Sequence, residues 1–418
     1  MTVGLLIPNF VVKLGCMPQN FKPNIDFYAF DPGWILERML FISGPRQVGK
    51  TTYAMKKIKE LGGSYFNWDD REVRKAYEEQ SSFFVKSSKL NSLIVFDEIY
   101  KRKSWKDILK GIYDTHKSNY RFVITGSAKL DTFRRSGDSL VGRYFLTHIF
   151  PISAGDLLRL NFKEYTSSLK LLNNVLDLNK LIDSEDLNSL LHLGGFPEPF
   201  FKGSESIFRR WQKQHHELLI REDLRDLSNI QNLDRIENMI SLLEKNVTST
   251  ISYNSLAQDL ETDHKSVKQW LIQLEKIMLT FIVKPYFKQI QKTLRKNPKV
   301  YFYDWSFVKS RGPKFENFIA CQLLKAITLW NERFGYNFDL YFIRTYSDKE
   351  IDFCITFDNK PWLLIEAKYG YPDISSPARE FSRQLKVPLV ILTNEENWNV
   401  KKEDIYIFSA GRFLSLLP

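Results

Sequence analysis

The octapeptide Gly44-Pro45-Arg46-Gln47-Val48-Gly49-Lys50-Thr51 constrains this chain more than any other stretch. It fits G-x-x-x-x-G-K-[ST], and an apolar run, 39–42, leads into it while a helical pattern follows. Glycines let a backbone curl until its N–H groups converge on phosphate oxygens, and the next helix turns its positive end to the same anion. Lys50 is expected to reach the β- and γ-phosphates and the Thr51 hydroxyl to ligate Mg²⁺, with Thr52 a helix residue beside them. A buried strand, a phosphate loop and a helix in that order predict a nucleotide site at the end of a parallel sheet.

Downstream stretches supply the remaining parts. "SLIVFDEIY" is an apolar strand ending in Asp97-Glu98. Asp97 fits the carboxylate that holds Mg²⁺, and Glu98 fits the base that orients and deprotonates an attacking water. "YRFVITGSA" is a second buried strand, whose Thr125 or Ser127 could touch the γ-phosphate or the lytic water. The competing role for either hydroxyl is a turn or helix cap. "SLVGRYF" offers Arg143 as a sensor or finger, with Arg134 and Arg135 as competitors. Strands are expected at 39–42, 64–68, 93–96, 121–125 and 144–150, separated by helices, which predicts a parallel sheet covered on both faces.

The chain has 418 residues, more than one ordinary core accommodates, and its 43% hydrophobic and 26% charged content is that of a folded globular protein. A formal net charge of +11 favours polyanionic partners, nucleic acid first; the alternative is a solubilising surface with no partner. The cysteines, Cys16, Cys321 and Cys354, give neither a disulfide framework nor a Cys-x-x-Cys metal site, and the six histidines are scattered. No apolar run spans a bilayer, and "MTVGLLIPNFVVKLG" lacks a secretory pattern, so a cytoplasmic location is expected.

The ordered set "GPRQVGKTT", "YFNWDD", "LIVFDEI", "VITGSA", "SLVGRYF", "FPIS", "GGFPE" and "IREDL" resembles prokaryotic AAA-type (AAA_14) P-loop ATPases with a C-terminal DUF4143 region. The resemblance implies ATP as the nucleotide. It also implies an α/β architecture: a P-loop ASCE/AAA+-like parallel sheet over 1–155, a helical lid over 156–230, a winged helix over 231–295, and a PD-(D/E)XK-like domain over 296–418. One departure is Gly155-Asp156, where the family usually has an aromatic followed by Glu. That change is expected to affect packing or a lid contact rather than catalysis.

In the middle region, Gly194-Gly195 and Pro197 end a helix and form a tight turn, either part of a lid or an ordinary stop. "ISYNSLAQDLETDHKSVKQWLIQLEKIMLTFIVKPYF" reads as helix, turn, helix, strand. Leu256, Ala257 and Leu260 mark one apolar face; Val267, Leu271, Leu274 and Ile277 mark another. His264, Lys265, Lys268 and Gln269 then face outward, where they suit DNA phosphates or bases. Lys284, Lys288, Lys292, Arg295, Lys296 and Lys299 suggest a basic wing with Tyr286 and Phe287 among them. The alternative is a winged helix that serves only as scaffolding.

The C-terminal order of helix, three strands, helix and two further strands resembles the PD-(D/E)XK nuclease core. There an Asp and a Glu hold Mg²⁺ or Mn²⁺, and a Lys two residues after the Glu positions water. In "IDFCITFDNKPWLLIEAKYG", Asp352, Glu366 and Lys368 match those positions. Glu366 and Lys368 face one side of a strand because side chains alternate. For Asp352 to share that side, the hairpin loop must hold an odd number of residues or include a bulge. A three-residue turn at Asn359-Lys360-Pro361 is the expected solution; a plain two-residue turn at Asn359-Lys360 points Asp352 away. Glu316 is a third ligand or an orienting partner of Lys368, and Gln384 a lining residue. The combined expectation is an ATP-hydrolysing protein that acts on DNA, forms a homo-oligomer, and gates a nuclease-type site. The alternative is a STAND-like switch or AAA motor with a non-cleaving C-terminal domain.

Overall fold

Apolar runs bounded by glycine and polar residues become strands in the computed structural model, which describes residues 38–126, 140–158, 164–225, 233–286, 297–345 and 349–418. Ser127, Arg134, Arg135 and the wing residues Phe287, Lys288, Lys292, Arg295 and Lys296 lie outside the described residues. Five short strands form the first sheet: β1 (Met39–Ser43), β2 (Gly63–Asn67), β3 (Leu93–Asp97), β4 (Arg121–Thr125) and β5 (Tyr144–His148). Their order is β2-β3-β4-β1-β5, and every pair is parallel. The fifth strand stops at His148, two residues earlier than the sequence pattern suggests.

Period-two alternation decides which core each side chain joins. Met39, Phe41, Ile94, Phe96, Phe122 and Ile124 pack into an aromatic-rich cluster on one face. Leu40, Ile42, Leu93, Val95 and Val123 pack with Tyr53 and Ala54 of helix Lys50–Leu61 on the other. Both faces are therefore buried, and the polar carboxyl ends of the strands are left as the place for chemistry.

A second, mixed sheet has eight strands in the order β12-β13-β11-β10-β9-β8-β6-β7. These are β6 (Thr280–Pro285), β7 (Lys299–Phe302), β8 (Phe338–Arg344), β9 (Glu350–Phe357), β10 (Lys360–Lys368), β11 (Leu389–Thr393), β12 (Asn399–Lys402) and β13 (Ile405–Ser409). β12 has no counterpart in the sequence reading; "NVKK" is short and mostly exposed, so it lacks an apolar signal. The boundary expected at 295/296 falls between β6 and β7, which pair with each other antiparallel, while β6 also pairs with β8. One continuous apolar cluster runs from Ile152 through the helices of the middle region to Leu417.

The helices Tyr253–Asp259 and His264–Lys276 take the expected positions, the second capped by Asp263, whose carboxylate accepts from the N–H groups of Lys265 and Ser266. Leu256, Ala257, Leu260, Val267, Leu271, Leu274 and Ile277 are all buried. Gly194 and Gly195 end helix Ser184–Leu193, and a Cβ on Gly195 would lie 2.5 Å from the Trp305 ring and 2.7 Å from the Ile152 carbonyl oxygen. That close approach, more than turn geometry, is what requires the second glycine.

A 24-residue helix, Arg311–Phe334, ties the two sheets together. Lys325 pairs with buried Asp156 and bonds Ser153 Oγ at 2.9 Å, and Gln322 Oε1 accepts from the Ala154 N–H at 3.0 Å. Asp156 also accepts from the Ser153 N–H, at 2.9 Å. The unusual Gly155-Asp156 is thus a packing feature. Further along the helix, Glu332 accepts from the His148 N–H and the Thr147 hydroxyl and contacts the His148 ring.

Candidate functional site

At the end of β1 the backbone turns through Gly44, where a Cβ would lie 2.2 Å from the Ile149 carbonyl oxygen, and leaves the turn at Gly49 with φ 100°. Pro45 and Val48 are buried under the loop, while Arg46 and Gln47 project from it. Lys50 Nζ donates to the carbonyl oxygens of Gly44 and Pro45 at 2.9 and 2.7 Å. Burial pushes the Lys50 ammonium down to about 8, against the pull of Glu98 and Asp97.

Asp97 sits at the centre of the site. Its Oδ2 accepts from Thr51 Oγ1 at 2.8 Å and from the Tyr65 hydroxyl at 2.6 Å, and its Oδ1 accepts from Thr125 Oγ1 at 2.5 Å. Parallel register causes this convergence, because Asn67, Asp97 and Thr125 are direct neighbours across β2, β3 and β4. Tyr65 is a member that the sequence reading missed; its place two residues before the end of β2, facing as Asn67 does, was the available signal. Burial and Asp97 raise the Tyr65 phenol well above its ordinary range, so it stays a donor. Glu98 follows in the left-handed region, φ 61°, with its N–H on the Thr125 carbonyl oxygen at 3.1 Å. Its carboxylate contacts the Tyr100 hydroxyl and lies 3.3 Å from Lys101 Nζ. Thr52 is exposed on the helix. A Thr hydroxyl and an Asp carboxylate in contact are a fitting hard-oxygen pair for Mg²⁺ beside a phosphate loop.

Arg143 needs correction as a member of this group. It precedes β5, and parallel pairing of Met39 with Tyr144 and Ser43 with His148 puts it at the amino end of the sheet, opposite the loop. There it makes a bidentate pair with Asp114 at 2.9 and 3.0 Å.

The C-terminal carboxylates gather on the second sheet. The turn between β9 and β10 is the two-residue Asp358-Asn359, both left-handed at φ 49° and 61°, followed by a register shift between Pro361 and Leu363. The expected three-residue turn is thus replaced by a two-residue turn plus a bulge, and the bulge restores the needed parity. Continuing the register past Ile365↔Phe353 sets Glu366 opposite Asp352, on one face. Asp352 Oδ2 accepts from the Ala367 N–H at 2.8 Å. Glu366, buried, is 2.7 Å from Lys368 Nζ, and both its oxygens lie 3.3 Å from Ser375 Oγ. Burial raises the Glu366 carboxyl, with Lys368 opposing.

Lys299 is the residue the sequence misled on. Read as part of a basic wing, it is 1% exposed and lies 3.0 Å from Glu316, 2.5 Å from Glu350 and 3.8 Å from Asp352. Burial alone would lower its pKa, but Glu316, Asp352 and Glu350 outweigh that and raise it. Tyr301, two residues on and on the same face, donates to Glu316 Oε1 at 2.7 Å. Glu316 therefore holds Lys299 and Tyr301 rather than Lys368, and burial with the Asp352 charge pushes its carboxyl up to about 8. Among the described residues no group of three or more His, Cys, Asp or Glu side chains is arranged to hold a metal ion. Asp352 and Glu366 fit a two-carboxylate site, with Glu316 behind it. Gln384 is exposed, bonded to Glu380 on helix Ser376–Leu385, and does not line the cluster.

Comparison with known proteins agrees with the two ends of the chain. Residues 36–158 match the AAA_14 family, described as an AAA domain, and residues 311–412 match DUF4143. The chain carries an AAA_14 domain and a DUF4143 domain. Between them, residues 184–311 match DUF8612, a domain of unknown function. In this AAA_14–DUF4143 chain the first match covers the whole parallel sheet, and the second begins with the long helix.

Two uncharacterized proteins of Methanocaldococcus jannaschii are similar to it. MJ1637 is 27% identical over 294 residues, 64% of this chain and 60% of that protein. MJ1544 is 25% identical over 413 residues, 92% of this chain and 88% of that protein. Among solved structures, the Thermotoga maritima RuvB Holliday junction branch migration motor aligns with 58% of this chain and 81% of its own at 12% identity and a TM-score of 0.26. A STAND protein with a tetratricopeptide repeat sensor from Pyrococcus horikoshii aligns with 78% and 48% at 12% identity and the same score. Among the described residues, no helix is long and apolar enough to cross a membrane.

Proposed function

We propose that the chain is an ATP-hydrolysing protein that acts on DNA and whose nucleotide state governs a nuclease-type site in the C-terminal domain. The observation that carries the ATPase half is the contact of Thr51 and Thr125 with Asp97 beside Lys50 and Glu98. Thr51 and Asp97 would hold Mg²⁺, which neutralises charge on the nucleotide phosphates. Lys50 binds the β- and γ-phosphates, Glu98 orients and deprotonates water, and Thr125 keeps Asp97 aligned. Lys50→Ala abolishes ATP turnover, and Glu98→Gln keeps nucleotide binding while turnover falls by about 100-fold or more. Undiminished turnover in either variant overturns the assignment.

For the DNA-acting half, support comes from Asp352 and Glu366 facing each other with Lys368 beside them. These two carboxylates would hold Mg²⁺ or Mn²⁺, which supplies a Lewis acid for a scissile phosphate. Lys368 holds water or the phosphate, and Ser375 steadies Glu366. His264, Lys265, Lys268 and Gln269, all exposed on helix His264–Lys276 of a winged-helix module, contact the DNA backbone. A cleavage assay on single-stranded, duplex and branched DNA, with Mg²⁺ or Mn²⁺ and with or without ATP, tests this. Cleavage is lost in folded Glu366→Ala and Lys368→Ala; cleavage that persists belongs to another site.

Lys299 favours a second reading. An internal ammonium between Glu316, Glu350 and Asp352 already neutralises part of the cluster, as a non-cleaving domain that only binds DNA or a partner would have it. ATP-dependent DNA binding without cleavage in either metal supports that reading. A change in particle size with ATP favours a ring-forming homo-oligomeric motor.

A further inference from the structure

The phosphate loop is gripped from outside the AAA_14 match. Gln47 stands at φ 61°, a backbone region that costs a non-glycine residue free energy and persists only where neighbours fix it. The neighbour is His215, on helix Glu205–Leu218, whose Nδ1 lies 2.8 Å from Gln47 Oε1. His215 is 1% exposed and stacks on Trp211 at 4.5 Å between ring centroids, with Phe196 on its flank at 4.9 Å. Burial, with Arg46 nearby, pushes the His215 imidazole down to about 3, so it is neutral and its Nδ1–H donates to the Gln47 oxygen.

The preceding loop residue, Arg46, is held about two turns further along the chain. Helix Glu205–Leu218 widens into a π-helical turn, Leu219–Leu224, and a π turn re-aims the side chains it carries. Arg46 pairs there with Glu222 and Asp223, each at 2.7 Å. Asp223 also acts on the charge of Lys50, the loop's own lysine.

We infer that His215, Glu222 and Asp223 are positioning residues for nucleotide binding: they hold Gln47 and Arg46 so that the loop's N–H groups stay convergent on phosphate. The inference rests on the ATPase reading above. It assigns a role in the reaction to residues of a segment that the AAA_14 match does not include. Hydrogen bonding fixes the backbone at Gln47, and the two ion pairs fix the loop against the helix.

The test uses the full chain and reads both ATP turnover and binding of a fluorescent ATP analogue. His215→Phe keeps an aromatic ring against Trp211 and removes the donor. It raises the KM for ATP and the analogue's Kd by about 5- to 20-fold, the cost of one left-handed non-glycine residue left unheld, with a much smaller change in kcat. Adding Gln47→Gly in the same chain restores both constants, because glycine takes that conformation unaided. Glu222→Gln with Asp223→Asn weakens binding in the same direction by loosening Arg46. Thermal denaturation shows whether each variant is folded.

An His215→Phe chain within twofold of wild type overturns the inference, as does a folded double variant that glycine fails to rescue. If the wild type binds the analogue but does not turn ATP over, hydrolysis fails and the positioning role is read from Kd alone. If the wild type binds no nucleotide, both fall.

Discussion

Single residues show how burial sets chemistry. Asp304 is buried, its Oδ1 accepts from the Ser306 N–H at 3.0 Å, and its Oδ2 has no hydrogen-bond partner among the described residues. Burial pushes its carboxyl up to about 6, with Ser306 and Lys314 opposing. A folded pKa above the unfolded one means that stability is fully present below about pH 4 and is lost as pH rises through about 6. Asp304→Asn removes that loss. Its stability relative to wild type therefore improves between pH 4 and pH 7 by on the order of 2 kcal/mol, read from denaturant midpoints. A gap that does not change with pH refutes the assignment. At this scale the nucleotide site was legible, because G-x-x-x-x-G-K-[ST] and a strand ending in Asp-Glu each carry their own chemistry. Lys299 was not. Charge composition cannot tell a solvated lysine from one enclosed by carboxylates, although its alternation with Tyr301 on a strand gave a signal.

Elements carry the connection between the halves. Helix Arg311–Phe334 presents Glu316 to the C-terminal cluster near one end, Gln322 and Lys325 to the segment after β5, and Glu332 to β5 itself. At about 1.5 Å per residue it is a rod of roughly 36 Å. Lys325→Met leaves Asp156 buried without its cation and destabilises the chain by about 3–5 kcal/mol, seen as a lower Tm. The pair Asp156→Asn with Lys325→Met costs less than Lys325→Met alone; an equal or greater loss would show that the ion pair is not the cause. The helix was legible as an apolar-faced run, but the polar anchors Gln322, Lys325 and Glu332 were not, since their partners lie more than 160 residues away in sequence. The β9–β10 hairpin teaches a related lesson. Sequence parity demanded an odd loop or a bulge, and "FDNKPW" gave no way to choose, because Asp358-Asn359 suits a two-residue turn as well as Pro361 suits an irregular one.

For the molecule as a whole, the parallel sheet and the later strands other than β7 and β12 followed from their apolar runs, but the way the segments share a core did not. Residues from Ile152 to Leu417 form one apolar cluster, and β6 and β7 complete the sheet that bears Asp352 and Glu366. Such long-range pairing is decided by tertiary contacts, not by local pattern.

The pairing of β6 with β8 has a practical side. Residue 311, where the DUF4143 match begins, looks like a place to divide the chain. A fragment started there would lack Lys299 and bare the β8 edge, removing the ammonium that Glu316, Glu350 and Asp352 share and leaving an open ladder ready to join another copy. The structural unit is therefore longer than the matched one: a truncation that keeps this sheet whole must carry β6 and β7 with it.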